Sequence, residues 1–194
     1  MIKAIIFDCF GVLSTEGWIP YRYQYFGNNK ELFEHSGDLQ KQVDAGLMSI
    51  EDFIKDISDM SGVDEQSTTN MLEGVAPNRQ LIDFIRSEIA PKYSVGMLSN
   101  AGDNWLDKIF TAKDLALFDE IALSFQNGFI KPDANSYESI ASRLGVETQE
   151  CVFVDDQERY CTGAIDVGMK AVWYKDFDQM RTDLYKILAT NTKN

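Results

Sequence analysis

The sequence predicts an α/β fold, a Rossmann-like parallel sheet flanked by helices, with a helical segment inserted after the first strand. Three observations predict it. Short apolar runs alternate with amphipathic helical stretches over most of the chain. Residues 15–77 show helical patterns and no comparable strand. Polar residues follow directly on the ends of several of the apolar runs.

The elements follow in order. "KAIIF" (3–7), "YSVGMLS" (93–99), "EIALS" (120–124), "CVFVD" (151–155) and "KAVWY" (170–174) are rich in Ile, Val and aromatics and bounded by charged or turn residues, so each is read as a strand. Between them, "NRQLIDFIRSEI" (78–89) sets Leu81, Ile82, Ile85 and Ile89 on one face. "NWLDKIF" (104–110) and "NSYESIASRLG" (135–145) follow the same pattern, the latter ending at a glycine suited to close a helix. Strands alternating with helices imply parallel pairing covered on both faces. Within 15–77, Ser49 with Asp52 opens a helix that Gly62 ends, and Asp64 opens another that Gly74 ends. The division expected is a core of 1–14 and 78–194 and a helical unit of 15–77. The polar tail "TNTKN" (190–194) is expected to fray.

Composition restricts the function. Hydrophobic residues make up 44% of the 194, enough for a packed core. A net charge of −13 opposes binding to phosphate backbones and anionic lipid, so neither nucleic acid nor membrane is an expected partner. A small phosphorylated metabolite meets the local field instead and is not excluded. Cys9, Cys151 and Cys161 form no metal-binding spacing and leave an odd thiol, as in a reducing compartment. Asp8 interrupts the apolar N-terminus before it reaches signal-peptide or membrane-span length, so a soluble, cytoplasmic protein is expected, as monomer or homodimer.

In a parallel sheet the carboxyl ends of the strands share one edge, where ligands bind. The first strand brings Asp8 to that edge. The second brings Ser99 and Asn100, and the fourth Asp155 and Asp156. Lys131 stands in the loop after the third, ahead of Pro132. Each has an ordinary explanation alone: a turn former, a helix cap with its favourable dipole charge, a solvated lysine. Together on successive strand ends they have a chemical one. Three carboxylates at one edge repel unless a cation lies among them, and hard oxygen ligands suit Mg²⁺. A carboxylate beside such a cation can attack phosphorus, with Ser99 and Lys131 holding the remaining phosphoryl oxygens and Asn100 expected to contact the substrate beside them.

The ordered set resembles the haloacid dehalogenase-like hydrolase superfamily. "FDCFGVLS" matches its first motif, "LSN" the second, "KPD" the third and "VFVDDQERYCTGAIDVGM" the fourth, so the likeness runs from Ile2 to about Tyr174. It implies Asp8 as nucleophile, Ser99 as phosphate-binding hydroxyl and Lys131 as catalytic lysine. It also implies Mg²⁺ held by Asp8, the Phe10 carbonyl and one acid of the 155–156 pair. We assign Asp156 to the metal and place Asp155 beside it, oriented by Lys131. The insertion resembles the small α-helical cap of one subgroup. The activity implied is phosphomonoester hydrolysis through an aspartyl-phosphate.

The departure is Phe10. Most phosphatases of this superfamily carry there a second Asp that protonates the leaving alcohol and then activates water, help that is typically worth 10²- to 10⁴-fold. Two alternatives follow: a binding or regulatory protein that has lost turnover, and a metal-independent 2-haloacid dehalogenase, whose branch has an aromatic at this position. The acidic pair 155–156 speaks against the dehalogenase, and Arg22 is the one arginine in 15–77 available for a substrate carboxylate. His35, the only histidine, is expected at the surface, and Cys9 in packing. "WIPYRYQYF" (18–26) is expected either to line the substrate or to pack within the insertion.

Overall fold

β1 (Ala4–Phe7) lies at the centre of a five-stranded, all-parallel sheet of order β3-β2-β1-β4-β5, completed by β2 (Ser94–Ser99), β3 (Glu120–Leu123), β4 (Cys151–Asp155) and β5 (Lys170–Trp173). The computed structural model describes residues 1–190, so the tail expected to fray lies almost wholly outside the described residues. Each predicted strand forms where its apolar run stands. All four residues of β1 are buried because both faces of the sheet are covered.

Alternation divides those residues between two cores. Ile5, Phe7, Val95, Met97, Val152 and Val154 face one layer, and Ala4, Ile6, Leu98, Cys151 and Phe153 face the other. The inserted helices come first in the chain: α1 (Trp18–Phe26), α2 (Lys30–Asp44), α3 (Ile50–Ser61) and α4 (Glu65–Glu73). α5 (Arg79–Phe84) runs on into a π-helical turn, Ile85–Ile89, and buries Leu81, Ile82, Ile85 and Ile89 in the first layer. α6 (Leu106–Ile109), α7 (Ala112–Leu115) and α8 (Ser124–Asn127) are single turns. α9 (Ala134–Arg143) and α10 (Glu158–Asp166) cover the second face, and α11 (Phe177–Thr190) returns to the first.

The helix expected over 104–110 shrinks to α6. Asn104 accepts from the backbone N–H of Leu106, so the chain before it turns instead of continuing the helix. α3 begins as its residues require: the Ser49 hydroxyl accepts from the N–H of Asp52, and Gly62 closes the helix at φ 73°. α1 was not apparent as a helix. Pro20 is tolerated in it because first-turn N–H groups have no acceptor within the helix.

α1 to α4 share their own apolar centre, including Tyr21, Phe26, Leu39, Val43, Phe53, Ile57 and Leu72. The chain enters and leaves this layer side by side, with Thr15 N–H donating to Ala76 O at 2.8 Å. No described helix is long and apolar enough to cross a membrane.

Two ion pairs to a buried carboxylate tie α5 and the π-helical turn to α7. Asp114 receives Arg79 at 2.6 Å and Arg86 at 2.8 Å, and caps α7 with Thr111. Burial raises its carboxyl pKa, but hydrogen bonds from Arg79 and Thr111 outweigh that and lower it to about 2. A depressed folded value stabilises the protein above the ordinary carboxylate range, and the contribution fades as pH falls through that lower value. Because both arginines are about half exposed, Asp114→Ala should cost on the order of 1–2 kcal/mol in urea denaturation at pH 7. The difference from the parent should close between about pH 4 and pH 2. An equal deficit at both ends of that range would mean the loss is one of packing.

Candidate active site

The carboxyl ends of β1, β2 and β4 converge because the three strands are neighbours in register. Asp8 follows β1 and donates its backbone N–H to Val154 O at 2.9 Å, which continues the ladder one residue beyond the strand. Its side chain is 93% buried, and Oδ1 accepts from Cys9 N–H and from Lys131 Nζ, both at 2.7 Å. The chain then turns tightly, with Gly11 N–H and Ser14 N–H donating to Ser14 O and Cys9 O. Gly11 takes φ 86°, and a Cβ there would stand 2.4 Å from Asp156 Oδ2. Only glycine brings this backbone so close to that carboxylate.

Lys131 is buried and bridges two acids, since Nζ also lies 2.7 Å from Asp155 Oδ2. Desolvation would discharge it, yet the two carboxylates together keep it firmly protonated. Asp155 is engaged at both oxygens: Oδ1 accepts from Gln157 N–H at the start of α10. Asp156 differs, because its Oδ1 is buried without a partner. Burial, aided by Asp155, raises its pKa to about 6. Burial also raises Asp8 well above the ordinary carboxylate range, against the pull of Lys131.

Carboxylate oxygens of Asp8, Asp155 and Asp156 lie within 4.8 Å of one another. Such a set can hold a divalent cation, and the unpartnered Asp156 oxygen is the atom that a cation would satisfy.

Ser99 ends β2, buried, with only a weak 3.5 Å contact from its hydroxyl to Asn100 O. Asn100, read from the sequence as a substrate contact, has its side chain on the Lys131 backbone: Oδ1 accepts from Lys131 N–H at 2.8 Å and Nδ2 donates to Lys131 O at 3.2 Å. Nδ2 also donates to the Tyr160 hydroxyl. Phe10 is half-buried against the first core layer. Cys9 is buried in that core, and burial pushes its thiol pKa up, as suits packing. His35 is exposed on α2. Arg22 donates to Phe33 O and Ser36 Oγ and covers the Phe33 ring, tying α1 to α2.

Two cavities open between the sheet edge and the inserted helices. A mainly apolar one of about 90 Å³ is bordered by Phe10, Trp18, Phe53, Leu72 and Trp105 together with Glu16, Asp44 and Asn100. A larger one of about 480 Å³ is bordered by Lys131, Asn100, Tyr160 and Arg159 below and by Arg22 and Asp44 above. Glu16, Asp44, Arg159 and Tyr160 were not singled out from the sequence. Only Arg159 and Tyr160 carried a signal, standing within the fourth motif.

A family model described as haloacid dehalogenase-like hydrolase matches residues 2–168. A phosphatase of Mycobacterium tuberculosis is 35% identical over 74 residues, 38% of this chain and 34% of that protein, so the match spans about a third of that relative. A predicted haloacid dehalogenase-like hydrolase from Porphyromonas gingivalis superposes with a TM-score of 0.74 at 23% identity, over 97% of this chain and 98% of that one. A haloacid dehalogenase family enzyme from Bacteroides thetaiotaomicron, solved in complex with magnesium and inorganic phosphate, superposes with a TM-score of 0.71 at 21% identity, over 90% and 95%. At such identities the superpositions show a common fold.

Proposed function

The chain belongs to the haloacid dehalogenase-like hydrolase family, and from that premise we propose a Mg²⁺-dependent phosphatase of a small phosphorylated metabolite, acting through phosphorylated Asp8. The observation that carries the reading is the buried, unpartnered Asp156 Oδ1 beside two further carboxylates. Asp8, Asp156 and the Phe10 carbonyl would hold the ion, which when bound offsets the acids' mutual repulsion and polarises the phosphoryl group. The Bacteroides neighbour, with magnesium and phosphate bound, supports the same choice.

The chain's own residues do the rest. Asp8 Oδ1 is fixed by Cys9 N–H and Lys131, which leaves Oδ2 to attack phosphorus. The Ser99 hydroxyl and the Lys131 ammonium meet the phosphoryl oxygens as charge gathers on them. Asp155 holds Lys131 in place, and Asn100 fixes the backbone of the same residue, so we assign Asn100 to positioning. The inserted helices, 15–77, serve as a cap over the site. Three free, buried cysteines among the described residues suit a reducing, cytoplasmic setting.

A screen of phosphomonoesters with and without Mg²⁺ tests the reading, and turnover should require the metal. Calorimetry adds a measurement independent of turnover: Asp156→Ala should weaken Mg²⁺ binding by about ten-fold or more, as expected when a carboxylate ligand is lost. Equal affinity in parent and variant would remove Asp156 from the metal site.

A further inference from the structure

Phe10 cannot give a proton, so the leaving alcohol lacks a donor in the mechanism above. Resting on that phosphatase reading, we propose that Asp44, from the inserted helices, is the proton donor to the leaving oxygen. The apolar cavity beside Phe10 then receives the body of the alcohol.

Position is the first reason. Asp44 is only 7% exposed and borders both cavities, the apolar one that Phe10 lines and the polar one that Lys131 lines. Asn100, the residue after Ser99, is shared by the same two cavities. Asp44 therefore stands where an ester would pass from the phosphoryl pocket into the apolar one.

The second reason is that, on balance, the surroundings disfavour a carboxylate there. Asp44 is the last residue of α2, where the negative end of the helix opposes an anion. Lys41, in the same turn, pairs with Asp38 instead. Glu16 repels, Lys131 draws the other way, a hydrogen bond with Gln40 and a weaker pull from Arg159 add to that draw, and Tyr160 lies within electrostatic reach. Glu16 is itself engaged at the start of α1, accepting from Trp18 N–H at 2.6 Å. Burial first, then Glu16, raises the Asp44 pKa to about 7, so the group keeps a proton to donate near neutrality. A buried acid set against its surroundings, at a cavity edge, marks function more than stability.

The step balances. As Asp8 Oδ2 bonds to phosphorus and the ester P–O bond breaks, the Asp44 proton passes to the leaving oxygen, releasing the alcohol. The Asp44 carboxylate then takes a proton from the water that attacks phosphorylated Asp8. Inorganic phosphate leaves, and both acids are restored. The ring-lined cavity implies that the ester's alcohol carries a small apolar group.

The test compares leaving groups. With Mg²⁺ present and enzyme in excess, so that only the first half-reaction is read, Asp44→Asn should slow single-turnover release of the alcohol from the best alkyl phosphate of the parent by about 10²-fold or more, and release of p-nitrophenol, which needs no proton, by less than about ten-fold. Its melting temperature should equal or exceed that of the parent, since a disfavoured acid is removed. Equal losses on both substrates, no loss on the alkyl one, or a lowered melting temperature with equal losses would overturn the proposal. Asp8→Asn separates the two readings. Aryl hydrolysis that survives Asp8→Asn, or a parent with no phosphatase activity, overturns the phosphatase reading and this proposal with it. Aryl hydrolysis that needs Asp8, beside alkyl hydrolysis indifferent to Asp44, overturns this proposal alone.

Discussion

Asp8→Asn should abolish turnover, by at least about 10⁴-fold on an aryl phosphate, while the protein stays folded. The amide keeps the shape of the side chain and can still accept from Cys9 N–H. It lacks the anionic oxygen that attacks phosphorus. Folding should survive because burial already opposes the charge of Asp8, and its loss relieves repulsion by Asp155 and Asp156. Lys131 keeps its second partner at 2.7 Å. Aryl phosphate hydrolysis and a thermal melt on the same preparation check the two halves. Near-parent hydrolysis by the folded variant would show that another group attacks.

Lys131→Ala should produce the largest loss of stability. Among the described residues its ammonium is the one ion-pair partner that Asp8 and Asp155 have in common, and all three side chains are at least 93% buried. Removing one member of a buried ionic set leaves the others uncompensated, at a cost of about 3–5 kcal/mol. Urea denaturation at pH 7 without added metal should show that deficit. Saturating Mg²⁺ should recover part of it, since a cation that binds only the folded site stabilises it by mass action. A deficit under about 1 kcal/mol would mean that the two acids carry their own protons and do not depend on the lysine charge.

Much of this architecture was legible because burial on both faces leaves a plain imprint. "AIIF", "SVGMLS" and "CVFVD" read as strands because sites covered by helices on either side admit only apolar residues. Asp8, Ser99 and Asp155 were legible for the complementary reason, as polar groups at the ends of such runs. α1 was harder: "WIPYRYQYF" spreads its aromatics around the helix, so periodicity marks no face. α6 failed in the other direction, since Asn104 offers the backbone a turn that competes with a longer helix.

The sequence by itself determined the sheet, the order in which its strand ends deliver acids, hydroxyl and lysine, and the helical character of the insertion. Those properties are set within short windows, by side-chain period and by capping residues. Tertiary structure alone decided the rest. It decided that Lys131 lies between Asp8 and Asp155, that Asn100 holds the Lys131 backbone, and that Asp156 lies against Gly11 with its Oδ1 unpartnered. It also brought Asp44, from the end of α2, to the cavity beside Phe10. These are contacts between groups far apart in the chain. Which oxygen is bonded and which is left bare depends on distances of a few tenths of an ångström, and residue order carries no record of them.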